Sequence, residues 1–213
     1  MPGDDLLSDP GDGSACGGGE SAEAELARVL ILIRHGQVHE RYQGVCYGSR
    51  DVELSELGKA QSRSLVDELA NQALTGIYHS DMLRTRFLAE LLAERSGVEA
   101  LPDTRLRERC FGAWELKNWD EIYAESGAAM DGMLDAPDSF APAGGETTFA
   151  LRDRVLAWYA ALPARGTFAV VAHGGAIASL LGTLRELPVR QWTELIPACG
   201  RYVLHSEESR IEC

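Results

Sequence analysis

The chain has 213 residues, of which 45% are apolar and 25% charged. This is an ordinary globular composition, so it excludes a fibrous or generally disordered protein and predicts one domain. The 33 acidic and 20 basic residues give a formal net charge of -13, which argues against a protein that coats nucleic acid or an anionic membrane. The sequence contains no run of about 18 apolar residues that could span a bilayer.

Residues 1–27 differ in composition from the rest. They hold seven acidic residues, six glycines and neither Lys nor Arg, which leaves a net charge of -6 for residues 28–213. Such a segment buries too little apolar surface to offset its ordering entropy, so we predict a disordered leader followed by one domain at 28–213. It lacks the features of secretory signals and transit peptides, and we therefore expect a cytoplasmic protein. The five cysteines include no C-x-x-C pair, which argues against a disulfide framework or a thiolate zinc site.

Strand and helix patterns alternate from residue 28 onwards. Apolar runs predict strands at 29–33, 76–78, 98–101, 168–172 and 202–204. Helical periodicity predicts helices at 56–71, 147–162, 176–185 and a fourth between Ser80 and Gly97, with Ser55 capping the first and Ser80 or Asp81 the fourth. The aromatic, less regular region 104–143 predicts a short helix or two. The fold class is therefore α/β: three layers, with a mostly parallel central sheet flanked by helices and a small helical cap.

The two most apolar strands both end in His-Gly, at His35-Gly36 and His173-Gly174. In open α/β sheets ligands bind beyond the carboxyl ends of neighbouring strands, so both histidines are expected at one edge. Gly174 leads directly into a helix, whose N-terminus suits an anion. A single strand-end histidine is usually an ordinary half-buried side chain. Two in the same context, one of them preceded by Arg34, favour a site for phosphate instead.

Six motifs support this interpretation because they occur in the order found in one family. They are Arg34-His35-Gly36, the 51–58 segment D-x-x-L-S-x-x-G, the 80–84 segment S-D-x-x-R, the 106–115 segment L-x-E-x-x-F-G-x-W-E, Gly144-Gly145-Glu146 and the 171–174 segment V-x-H-G. This set resembles the histidine phosphatases, the phosphoglycerate mutase-like superfamily, over about residues 28–180.

The resemblance implies a role for each matching residue. His35 would be the nucleophile that forms a phosphohistidine, with its other ring nitrogen held as a donor to a backbone carbonyl. Glu108 would protonate the departing alkoxide and then activate water. The phosphoryl oxygens would be surrounded by Arg34, Arg84, His173 and the N–H of Gly174. The resemblance implies no metal and no cofactor, since the arginines supply the positive charge.

Competing roles exist for two of these residues. Because Glu108 is flanked by Arg105, Arg107 and Arg109, the alternative to its acid role is an ordinary salt bridge. Glu115 is the other candidate for the acid. Arg84 has an ion pair with Asp81 as its alternative.

Departures from the mutase pattern bear on the substrate. The resemblance implies that Arg41, Tyr47, Gly48 and Gly174 contact the substrate. Arg41 stands where sugar-phosphate mutases have Asn, and Tyr47-Gly48 makes the pocket rim bulkier than in the mutases. The mutases' long lid insertion is missing between Glu108 and Gly144, which favours hydrolysis over return of the phosphoryl group. The loop 42–48 resembles that of α-ribazole phosphatase-like members.

The leading hypothesis is therefore a metal-independent phosphomonoesterase of a small phosphorylated metabolite, such as one similar to α-ribazole 5′-phosphate. A phosphoglycerate-type mutase and a non-catalytic phosphate-binding module are the alternatives. We expect a small phosphorylated substrate as the partner, with no nucleic acid and no membrane, and the sequence leaves monomer and homodimer equally open. Because the cationic residues gather at one rim, the overall negative charge does not argue against an anionic substrate.

Overall fold

A computed structural model describes residues 27–207; the predicted leader lies outside these residues except for Ala27, and its boundary stays a prediction. The core is a five-stranded sheet in the order β3-β2-β4-β1-β5. Its strands are β1 (Arg28–Arg34), β2 (Gly76–His79), β3 (Ala100–Pro102), β4 (Gly166–Ala172) and β5 (Tyr202–Ser206). All neighbours are parallel except β5, which pairs antiparallel with β1. The prediction of a mostly parallel sheet is confirmed.

Helices cover both faces of the sheet. They are α1 (Glu56–Glu68), α2 (Leu83–Ser96), α3 (Trp119–Ser126), α4 (Gly132–Asp135), α5 (Thr148–Ala160) and α6 (Gly174–Leu184). Leu30 and Leu32 of β1 pack with side chains of α5 and α6, whereas Ile31 and Ile33 pack with those of α1 and α2. Successive side chains of a strand point to opposite faces, so a strand between two helical layers is apolar throughout. The three-layer prediction is confirmed.

The segment between β3 and α5 forms the predicted helical cap. It contains α3, α4 and the 3-10 turns Gly112–Trp114 and Gly127–Asp131. Its small core is formed by Trp114 and Ile122 with Cys46 from the loop after β1; it is separate from the two cores of the sheet, and Phe111 and Trp119 pack against it. The cap therefore brings an aromatic wall to the carboxyl edge of the sheet.

Capping at α1 and α2 tests two local predictions. The Ser55 hydroxyl accepts the Gly58 N–H, as predicted for α1. For α2 the prediction is wrong: the helix begins at Leu83, and the Asp51 carboxylate accepts the Leu83 N–H at 2.7 Å. Ser80 does not cap α2 because its hydroxyl is hydrogen-bonded to the buried side chains of Thr85 and His173. No helix among residues 27–207 is long and apolar enough to cross a membrane.

Candidate active site

The two His-Gly strand ends meet at the carboxyl edge of the sheet. β1 and β4 are parallel neighbours in which Arg34 pairs with Ala172, so the residues that follow, His35 and His173, leave the sheet side by side. Their ring centroids are 5.2 Å apart, and their exposed fractions are 2% and 0%. The structure thus brings together the two histidines that the sequence predicted to share one edge.

The tautomer of His35 follows from one hydrogen bond. Its Nδ1 lies 2.7 Å from the Gly36 carbonyl oxygen, which can only accept, so Nδ1 carries the proton and Nε2 keeps its lone pair. Burial, together with the nearby Arg84 guanidinium, lowers the pKa of His35 well below its ordinary value of 6.5. The ring is therefore neutral near pH 7, with Nε2 available as a nucleophile.

Arg84 is a fully buried cation in the first turn of α2. It donates to the carbonyl oxygens of Arg50 and Gly48, both at 2.7 Å, and to Nδ1 of His173 at 3.2 Å. No carboxylate pairs with it anywhere in the part of the chain that the structure describes; Asp81, its alternative partner, binds Arg107 instead. A buried charge without a counterion is costly, and the pocket therefore favours an incoming anion.

The protonation of His173 is fixed by its neighbours. The Arg84 guanidinium can only donate, so His173 Nδ1 accepts and Nε2 carries the proton. Nε2 donates to the Ser80 hydroxyl at 2.7 Å, and this hydroxyl donates in turn to the Thr85 hydroxyl at 2.8 Å. The sequence reasoning missed Ser80 and Thr85 as site residues. Ser80 does belong to the S-D-x-x-R motif, which was the available signal.

Arg34 and Gly174 form the opposite side of the histidine pair. One Arg34 terminal nitrogen donates to the Pro197 carbonyl at 3.0 Å, whereas its buried Nε has no hydrogen-bond partner in the described structure. Gly174 is the first residue of α6. A Cβ added there would lie 2.9 Å from Ile196 Cγ2 and 3.6 Å from Arg34 Cζ, so glycine lets the guanidinium and the helix N-terminus approach one another. Both groups suit a phosphoryl oxygen.

Glu108 is held at the N-terminus of α6 by backbone groups. Its carboxylate accepts the Arg109 N–H at 2.8 Å and the Gly175 N–H at 3.0 Å. The flanking Arg105 and Arg107 pair with aspartates elsewhere, and Glu108 forms no ion pair among residues 27–207. The salt-bridge alternative for this residue therefore finds no support in the geometry.

Glu115, the rival acid, is fully engaged in structural contacts. It accepts from the backbone and hydroxyl of Ser49 and from the Phe111 N–H, and it pairs with Arg50 at 2.9 Å. Its side chain is only 3% exposed. Glu115 ties the loop after β1 to the cap, whereas Glu108 faces the cavity described below.

The predicted rim residues divide into two groups. Tyr47 lies beside the pocket, with its ring centroid 6.4 Å from that of His35 and 5.2 Å from Arg84 Cζ. Gly48, at φ +40°, places its carbonyl on Arg84. Arg41 is exposed, pairs with Glu53 and lies outside the residues that line the cavity. Its predicted contact with substrate stays a prediction.

A cavity of about 400 Å³ opens beside the pocket. Arg34, Tyr47, Glu108 and Gly174 line it. It is therefore the approach to the histidine pair and has room for a small ester. Among the described residues, no group of three or more His, Cys, Asp or Glu side chains is placed to hold a metal ion.

This geometry agrees with comparisons to known proteins. The family model of the histidine phosphatase superfamily (branch 1) matches residues 30–213. The chain belongs to the histidine phosphatase superfamily. It is 36% identical over 181 residues to a glucosyl-3-phosphoglycerate phosphatase of Mycobacterium tuberculosis. The aligned residues cover 79% of this chain and 80% of that protein. The family-level prediction of a phosphatase-type enzyme is thus confirmed.

Three further proteins extend the comparison. A Photorhabdus laumondii protein named "Probable phosphoglycerate mutase GpmB" is 31% identical over 162 residues, covering 75% of each chain. The solved structure of a mycobacterial glucosyl-3-phosphoglycerate phosphatase with VO3 is 31% identical, with a TM-score of 0.72 over 84% of this chain and 98% of that one. An α-ribazole phosphatase from Shigella flexneri shares the fold (21% identity, TM-score 0.72, 85% and 91% covered).

Proposed function

We propose that this histidine phosphatase hydrolyses a small phosphomonoester, without a metal, through a phosphohistidine on His35. One observation carries the proposal: a neutral histidine with Nε2 unprotonated lies beside a buried arginine that pairs with no carboxylate among residues 27–207. Such a pair offers a nucleophile and a place for negative charge in the same pocket.

In the first step, Nε2 of His35 attacks phosphorus. The N–P bond forms as the P–O bond to the alcohol breaks, and Glu108 gives its proton to the departing oxygen. Arg34, Arg84 and the N-terminus of α6 stabilise the equatorial oxygens, whose charge the enzyme must balance. His173 can join them as a donor once its Nδ1 takes up a proton.

In the second step, water attacks the phosphohistidine. Glu108, now a carboxylate, accepts a proton from that water while the P–N bond breaks, and inorganic phosphate leaves. Both steps use the same carboxylate position, which the N–H groups of Arg109 and Gly175 hold in place. His35 returns to its starting tautomer because Nδ1 keeps its proton throughout and donates it to the Gly36 carbonyl.

The substrate in this proposal is a small phosphorylated metabolite that enters through the cavity, and the enzyme acts in the cytoplasm without nucleic acid or membrane as partners. The relatives' names supply two candidates, glucosyl-3-phosphoglycerate and α-ribazole 5′-phosphate. A phosphoglycerate mutase remains the second candidate function because of the GpmB relative.

The test measures phosphate release and phosphoglycerate isomerisation by the full chain side by side, with metal chelated, on a panel that includes both candidate esters. We expect phosphate release, an acid-labile and base-stable phosphoryl label on His35, and loss of both in His35→Ala. Isomerisation without phosphate release would establish the mutase instead. Phosphate binding without either reaction would indicate a non-catalytic module, and unchanged turnover in His35→Ala would refute the mechanism.

A further inference from the structure

The cavity beside the phosphate pocket has mainly apolar walls. They are formed by Phe111, Trp119, Leu134, Leu151, Val189 and Ile196. Three of its polar side chains, Thr148, Ser179 and Trp192, already donate to backbone carbonyls of the protein. A sugar with several hydroxyl groups would find few free partners here, and each unpaired hydroxyl would cost free energy on burial. The walls therefore suit an apolar alcohol moiety.

Arg109 is a charged side chain among these mainly apolar walls. It lines the cavity and is only 7% exposed. Its guanidinium lies 5.6 Å from the centroid of the Phe111 ring, and no hydrogen bond or ion pair reaches it from any residue between 27 and 207. Burial lowers the pKa of Arg109, although the charges of Glu108 and Glu146 partly offset this effect. The cavity thus contains a buried cation without a direct partner.

The nearest acidic side chains are committed elsewhere. Glu146 pairs with Arg154 at 2.8 Å, and Glu108 is bound by two backbone N–H groups. Neither forms an ion pair with Arg109. Since a buried charge that lacks a counterion is costly, an anionic group on the ligand would relieve that cost.

Arg109 lies at the aromatic wall of the cap. The guanidinium groups whose charge acts on His35 are those of Arg84 and Arg34. Arg109 instead stacks on Phe111, which packs edge-on against Trp119 at 5.5 Å in the aromatic wall of the cap. One ligand in the cavity can therefore present its phosphate to Arg34 and Arg84 and a second anionic group to Arg109.

We propose that the substrate is a phosphomonoester of an apolar alcohol that carries a carboxylate, and that Arg109 binds this carboxylate. The proposal rests on the phosphomonoesterase function above, adds the chemical class of the leaving group, and disfavours the two esters named there, because both carry a sugar. The planar guanidinium can hold a carboxylate through two parallel hydrogen bonds. Arg109 is then a specificity-determining residue that does not touch the reacting phosphorus.

The test compares kcat/KM for phenyl phosphate, 3- and 4-carboxyphenyl phosphate, and ribose 5-phosphate. We expect at least one carboxyphenyl ester to exceed phenyl phosphate by about tenfold, the effect of one charged hydrogen bond, and ribose 5-phosphate to be the poorest substrate. Arg109→Met should reduce kcat/KM for that carboxyphenyl ester about tenfold more than for phenyl phosphate. Arg109→Lys should restore part of the preference because it restores the charge.

Arg152→Gln is the matched control, since Arg152 also stacks on a phenylalanine, Phe149, but pairs with Asp153 and does not line the cavity. Arg152→Gln should leave the ratios of kcat/KM between the esters unchanged. An equal loss for every ester in Arg109→Met would mean a structural role, and no carboxylate preference in the native enzyme would overturn the proposal. A preference for ribose 5-phosphate would refute the apolar moiety. No phosphate release from any ester would refute the proposed function itself.

Discussion

Arg84 donates its Nε–H to Nδ1 of His173 across 3.2 Å, and both side chains are fully buried. This contact excludes a proton on Nδ1, so His173 is neutral beside an arginine that has no carboxylate partner in the described chain. Burial, with the charge of Arg84, lowers the pKa of His173 well below 6.5. No carboxylate of the described chain pairs directly with the Arg84 cation, and a bound dianion would raise the proton affinity of His173.

Anion binding should accordingly be coupled to proton uptake by His173. We predict that sulfate, which does not titrate near neutral pH, inhibits more strongly as the pH falls from 8 to 5.5, by up to about tenfold per pH unit. Inhibition strengthens on acidification because the pKa of His173 is low in the free enzyme and the bound dianion raises it again. The measurement is the competitive inhibition constant of sulfate as a function of pH.

His173→Gln and His35→Ala separate the two histidines in this experiment. Sulfate binding to His35→Ala, measured by calorimetry, should keep the pH dependence, and His173→Gln should lose it. If the slope disappears in His35→Ala and persists in His173→Gln, the proton enters at His35 and our assignment is wrong.

The uncompensated charge of Arg84 should also appear in thermal unfolding. Inorganic phosphate at 100 times its Kd should stabilise the native protein by about 2.7 kcal/mol, which raises the Tm of a chain of this size by about 5–10 °C. Arg84→Gln should lose most of this shift, because it removes the buried cation. Chloride at equal ionic strength serves as the reference condition.

Arg86→Gln is the matched variant for this measurement. Arg86 lies on the same helix, α2, but is exposed, and its guanidinium donates to the Asp81 carbonyl. It should keep the full phosphate shift. An equally large shift in Arg84→Gln would show that the anion binds elsewhere.

The sequence predicted the parts of the site that depend on strand ends. Arg34, His35 and His173 could be placed together because an apolar run followed by His-Gly marks the carboxyl end of a buried strand, and neighbouring parallel strands end at one edge. The choice of Glu108 over Glu115 came from motif position, and the hydrogen bonds of Glu115 agree with it.

Long-range contacts could not be predicted in this way. Ser80 reaches His173 across 93 positions of the chain, and Asp51 reaches the start of α2 across 32. The ion pair that Arg41 forms with Glu53 at the surface is another contact of this kind. That Arg109 has no ion-pair partner within the described part of the chain depends on which cations the nearby carboxylates bind, and this is a property of the tertiary structure.

Buried neutral histidines should make stability depend on pH. His35 and His173 have a lowered pKa in the folded state, so below about pH 6.5 the unfolded chain binds more protons than the native one. The free energy of unfolding should therefore fall as the pH drops from 7.5 to 5.5. Urea unfolding at several pH values measures this slope.

His173→Gln should flatten that slope, while His39→Gln, a change at a half-exposed histidine, should not. Carboxylates with a lowered pKa, such as Asp81 and Asp103, lose their contribution only at more acidic pH, outside this window. Stability that rises on acidification from 7.5 to 5.5 would contradict the neutral state of the two histidines.

The geometry of Glu108 predicts a dependence on the leaving group. Glu108→Gln cannot protonate an alkoxide, so kcat/KM for an alkyl phosphate should fall by about 10²–10⁴. The loss should be much smaller for 4-nitrophenyl phosphate, whose leaving group departs without a proton. Gly175→Ala should produce a milder form of this pattern, because a Cβ at that position would overlap Glu108 Oε1 and displace the acid.

Gly97→Ala is the control for a glycine substitution, since Gly97 ends α2 with open space around its Cα. Its positive φ makes the alanine strained, so it should lower stability and leave the ratio of the two substrates unchanged. Equal losses on both substrates in Glu108→Gln would rule out general acid catalysis by this carboxyl. Glu115→Gln should leave the ratio of kcat/KM for the two substrates at its native value, because the rival carboxylate takes no part in proton transfer.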